Sequence, residues 1–127
     1  MRVLSVFILL IAVCVPGVAQ EDEETKCCCT TYDISVCVSK IRDKVDAELN
    51  TTYQDALSMA KKFTREDVEN LKDAQQKWMV YKDAACKAEY GLWGKGSGGP
   101  NARGICVIRL TRQRTTDLKS AYLDRLR

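Results

Sequence analysis

The 127-residue chain carries 20 Lys and Arg against 17 Asp and Glu, seven cysteines and no histidine. A net charge of +3 is too weak a field for sequence-independent nucleic-acid binding, and the absence of histidine excludes a Cys/His zinc site and an imidazole base. Once a leader is removed, the length allows one domain of about 100 residues that can bury its own core.

The amino terminus reads as that leader. Met1-Arg2 is a short positive region, 3–15 is apolar, and Pro16-Gly17-Val18-Ala19 ends in a small-x-small pattern, so 1–19 is predicted to be a signal peptide cleaved after Ala19. The protein is then exported, to a periplasm or beyond, and the apolar run is shorter than the roughly 20 residues a spanning helix needs. Lipidation at Cys14 is disfavoured because Val13, just before it, is not small. Residues 20–33 form an acidic, cysteine-rich lead-in, with Glu21-Asp22-Glu23-Glu24 followed by Cys27, Cys28 and Cys29.

The domain proper, 34–127, reads as three helices with no alternating strand pattern and no repeat. In the first, Ile34, Val38, Ile41, Val45, Leu49, Tyr53, Ala56, Ala60 and Phe63 recur at steps of three and four. Thr64 caps the second helix with Asp67 three residues on, and Phe63 with Val68 fits a hydrophobic staple, so the first two helices fold as a hairpin. Val68, Leu71, Ala74, Trp78, Tyr81, Ala85 and Leu92 mark the second helix, which runs into the glycine-rich stretch 91–104. A third helix over about 102–126 uses Val107, Leu110, Leu118 and Ala121. It is basic, with seven Lys and Arg from Asn101 onward against two acidic residues, and is most simply a solvated face.

After cleavage six cysteines remain, Cys27, Cys28, Cys29, Cys37, Cys86 and Cys106, an even set in an oxidising compartment, where disulfides are expected and a four-cysteine metal site is not. Cys37 with Cys86, at the open end of the hairpin, and one of the triplet with Cys106 are the pairings considered first. The other two of the triplet would pair with each other or across a dimer.

Projected at 100° per residue, Gln75, Lys82 and Glu89 fall inside the apolar stripe of the second helix, with Asp46 at the edge of the first helix's stripe and Asn50 just beyond it. A hairpin folded about residues 63 and 64 would set Lys82 near Asp46, and Gln75 near Asn50 and Thr52, as a polar core whose members satisfy one another. The stretch 91–104 carries Trp93, Lys95 and Ser97. It lacks the preceding strand of a phosphate loop and reads either as a binding loop or, for Trp93, as packing over the bundle end. No pair of carboxylates or activated nucleophile stands out, so no enzyme and no cofactor are expected.

Ala47-Glu48-Leu49-Asn50 with Tyr53, Ala74-Gln75, Trp78, Tyr81-Lys82-Asp83-Ala84 with Cys86, Gly98-Gly99, Cys106, Leu110-Thr111, Arg114 and Leu118 together resemble the secreted lysozyme-inhibitor LprI-like family. The likeness spans 37–118 and departs at Lys82, where the family has arginine, and before Cys37, where the triplet replaces a single cysteine. It implies a small all-α domain stapled by disulfides, and it adds Arg114 to the polar core of Asp46, Asn50, Gln75 and Lys82. The partner it implies is a protein, a lysozyme whose cleft is blocked. The alternative is an envelope structural or interaction module of the same fold without inhibition.

Overall fold

The computed structural model describes residues 30–93 and 95–125. They form α1 (Thr31–Ala60), α2 (Arg65–Gly91) and α3 (Gly99–Leu118), the last continuing as a π-helical segment, Lys119–Asp124. Among the described residues there is no strand, as the periodicity predicts. The expected signal peptide and the Cys27, Cys28, Cys29 run lie outside the described residues.

Two identical devices start the first two helices. The Thr30 hydroxyl accepts the Asp33 backbone N–H at 3.1 Å while the Asp33 carboxylate accepts the Thr30 N–H at 3.1 Å. Thr64 and Asp67 repeat the pattern at the same distances. Each such box satisfies donors that a helix start leaves open and contributes about 1 kcal/mol. The first box starts α1 at Thr31, three residues ahead of the apolar stripe and inside the expected lead-in. At the other end of α1 the Lys62 and Phe63 N–H groups reach back three residues to the Met59 and Ala60 carbonyls, which tightens the turn into α2. Phe63 remains exposed, so of the expected staple only Val68 enters the core.

The third helix decides the architecture. Ser35 donates to the Asn101 side chain at 2.9 Å, position 104 lies against Val38, and Lys119 reaches Glu48 at 2.7 Å, so α3 runs parallel to α1. Cys106 is bonded to Cys86 and Arg114 to Gln75, so α3 runs antiparallel to α2. α3 packs chiefly on α1 and next on α2, while α1 and α2 touch each other least. The hairpin is therefore wedged by α3 rather than closed on itself, which corrects the expectation of direct facing along its length.

The apolar core fills the half of the bundle near the hairpin turn, where Leu49, Ala56, Leu57, Ala60, Val68, Leu71 and Leu118 cluster and Tyr53, Trp78 and Tyr122 pack around them. Each large side chain buried there contributes roughly 1.5 to 3 kcal/mol. The apolar face of α2 is narrower than its periodicity predicts, since Ala74, Tyr81 and Leu92 are exposed.

In the other half the helices are held by a buried disulfide between Cys86 and Cys106, with Cα atoms 5.5 Å apart. This corrects both pairings considered first, Cys37 with Cys86 and a triplet cysteine with Cys106. The wedge of α3 separates Cys37 from α2 and brings position 106 against 86. Cys37 is itself disulfide-bonded.

Candidate functional site

Where α1 and α2 part, they leave a groove with a volume of about 680 Å³. Arg42, Asp43 and Asp46 of α1 form one wall, Lys82, Asp83 and Tyr90 of α2 the other, and Pro100, Arg103, Gly104 and Val107 of α3 the floor. The charge of the groove's lining follows from the sequence, and its opening from the way α3 holds α1 and α2 apart. A bundle that closed along its full length would need apolar residues at these inward positions, and Asp46 and Lys82 occupy them instead.

The expected polar core is divided between two places. Gln75 is 8% exposed, and its side-chain oxygen accepts Arg114 Nε–H at 3.0 Å. That bond ties α2 to α3, so Gln75 does not meet Asn50, and Asn50 is exposed. Thr52 is buried within α1. Lys82 and Asp46 do line one space, but among the described residues no ion pair joins them. The Lys82 ammonium lies 5.0 Å from the Trp78 ring centre, a contact that stabilises by about 0.5 to 1 kcal/mol at such a site. Glu89, the third polar position in the stripe, is an ion-pair partner of Arg109 on α3. Each shift has one cause: α3 stands where the hairpin register would have put the opposite arm.

The connection between α2 and α3 is shorter than 91–104, because Pro100 in the first turn lets α3 begin at Gly99. What remains, at 92–93 and 95–98, includes turns in which the Trp93 N–H donates to the Tyr90 carbonyl at 3.1 Å and the Gly96 N–H to the Trp93 carbonyl at 3.4 Å. Trp93, Lys95 and Ser97 are all exposed on it. The Trp93 ring lies over Gly98, at ordinary contact distance from where a Cβ would stand, and remains 60% exposed. Leu92 beside it is 87% exposed. Behind this segment Gly99 has a fixed reason to be glycine, since a Cβ there would come within 2.8 Å of the Tyr90 ring.

Arg42, Asp43, Asp83, Tyr90 and Arg103 were not among the expected site residues. The sequence carries a signal for part of this set, the charges interrupting the stripes of the first two helices. Arg103 lay inside the expected third helix, but its place on the groove depends on how α3 docks against the other two helices, which periodicity does not give.

Fold and surface together define a small, disulfide-stapled, all-helical domain with a charged groove and an exposed aromatic turn at one end. Residues 24–118 match the lysozyme inhibitor LprI family, and the chain belongs to that family. Its description is that of inhibitors, not of enzymes. The chain is also similar to an uncharacterised protein of Rhizobium meliloti (strain 1021), 30% identical over 122 residues that cover 87% of this chain and 88% of that protein. No solved structure matches it at a significant level. No group of His, Cys, Asp and Glu among the described residues is placed to hold a metal ion, and no described helix is long and apolar enough to cross a membrane.

Proposed function

We propose that this protein is exported and inhibits a lysozyme by seating its 92–98 turn in the enzyme's active-site cleft. Membership of the lysozyme inhibitor family supports the partner, and the signal-like amino terminus with the buried disulfide supports an oxidising compartment outside the cytoplasm. The observation that carries the mode of inhibition is the exposure of Leu92 and Trp93 on a short turn at the end of a rigid helix pair. An aromatic ring held this way fills a sugar subsite at little entropic cost, and Lys95 beside it brings an ammonium toward the carboxylates of a glycosidase. The mature chain keeps a net charge of +2 once Arg2 leaves with the leader, so long-range attraction to a basic lysozyme is absent and recognition rests on contact at the turn.

The test is inhibition of several lysozyme types by oxidised protein comprising residues 20–127. Replacing Trp93 and Lys95 together by Ala should raise the inhibition constant at least tenfold, about 1.4 kcal/mol, with an unchanged circular dichroism spectrum. Equal inhibition by the double variant moves the contact away from the turn. Inhibition of no lysozyme by the parent leaves the interaction-module reading of the same fold.

A further inference from the structure

We propose that the groove between α1 and α2 is a binding site for a short peptide with a free ammonium and a free carboxylate, held between Asp46 on one wall and Lys82 on the other. The proposal does not depend on the inhibitor reading, since none of Trp93, Lys95 and Ser97 lines the groove.

Among the described residues the charges on the two walls do not pair across the groove; Lys82 has only the Trp78 ring of its own helix beside it. Three cations, Arg42, Lys82 and Arg103, share the groove with three carboxylates, Asp43, Asp46 and Asp83. Among the described residues only Arg42 and Asp43 come within ion-pair distance of each other, at 4.0 Å on neighbouring positions of one helix. Opposite charges on two packed helices ordinarily close the gap through long side chains. Here α3 keeps the walls apart, fixed on one side by the Cys86–Cys106 bond and on the other by Gly104 against Val38. The wall charges are thus held at a separation that the protein itself does not bridge.

The chemistry of the lining selects the ligand. A simple anion entering this space meets three carboxylates and a simple cation meets three cations, so neither gains a net field. A molecule bearing both signs at its two ends gains at each, with its ammonium toward Asp46 and its carboxylate toward Lys82. The volume of about 680 Å³ lies within the roughly 300 to 1,000 Å³ of ligand pockets and is larger than one amino acid fills. Tyr90, Pro100 and Val107 add an apolar margin and floor for the small side chains between the ends. A folded protein's loop has no free ends and does not meet this requirement.

The experiment uses the oxidised protein, residues 20–127, and trialanine with both ends free, with its N-acetylated and C-amidated forms as comparators, followed by calorimetry and amide NMR shifts. Free trialanine should bind with shifts centred on Asp46, Lys82 and Arg103, and blocking either end should weaken it at least tenfold. In Asp46→Asn, the free and acetylated peptides should bind alike; in Lys82→Met, the free and amidated peptides should bind alike. Both residues are half-exposed and outside the apolar core, and a retained circular dichroism spectrum and thermal transition verify that the variants fold. No binding at millimolar trialanine, equal binding of the blocked forms to the parent, or undiminished discrimination in both variants overturns the proposal. Lysozyme inhibition by the same two variants should equal that of the parent, which separates failure of this site from failure of the inhibitory turn.

Discussion

Thr111 sits at the centre of the bundle with 0% of its surface exposed, and its hydroxyl has no hydrogen-bond partner among the described residues. One turn later Thr115 donates its own hydroxyl to the Thr111 carbonyl at 3.1 Å and is satisfied. A buried hydroxyl without a partner is a standing cost, so Thr111→Val, which keeps the shape, should stabilise by about 1 kcal/mol in urea denaturation. A destabilised variant would show that the hydroxyl is satisfied after all. Gln75 and Arg114 behave in the opposite sense, since each satisfies the other across two helices. Projection of the sequence placed Gln75, Lys82 and Glu89 inside an apolar stripe as candidates for buried polar groups; of the three only Gln75 is buried, while Lys82 and Glu89 are half-exposed. Their partners were not legible, because a helical wheel gives the direction of a side chain but not which helix stands in that direction.

At the scale of elements, the Thr64–Asp67 cap and the turn between α1 and α2 were readable because they are local chemistry, whereas the Thr30–Asp33 cap lay ahead of the apolar stripe and was not read. The placement of α3 was not, for its position rests on a contact with no periodic signature. Gly104 lies so close to Val38 that an added Cβ would collide with a Val38 methyl group. Valine is stiff about its first side-chain torsion, so the collision is relieved by moving a helix rather than by turning a rotamer. Gly104→Ala should therefore destabilise by roughly 1 to 3 kcal/mol, and Val38→Ala in the same chain should recover most of that loss. Thermal melts of the single and double variants check this. If the double variant is no more stable than Gly104→Ala alone, the helices do not meet at this point. The same close approach explains why α1 and α3 form the principal pair of the bundle although the hairpin joins α1 to α2.

At the scale of the whole molecule, the domain is packed near the hairpin turn and open at the other end, and the open end is stapled. Cys86 and Cys106 are 20 residues apart, so their bond removes loop freedom from the unfolded chain worth about 3 kcal/mol. Replacing both by Ala should lower the unfolding free energy by about that amount in chemical denaturation while the spectrum remains helical; an unchanged midpoint would mean that packing alone holds the open half. The all-helical class was legible from periodicity, but the opening was not, because it depends on how far apart α3 holds the other two helices. The parallel pairing of α1 with α3 also governs when the fold can form. Ser35 meets Asn101 across 66 residues and Glu48 meets Lys119 across 71, so the largest interface exists only after nearly the whole chain has been made. A nascent chain lacking its last helix has two helices that scarcely touch, and isolated helices are marginal in water. Under the export proposed above, this late closure would keep the chain loose until it has crossed the membrane and let it fold on the far side.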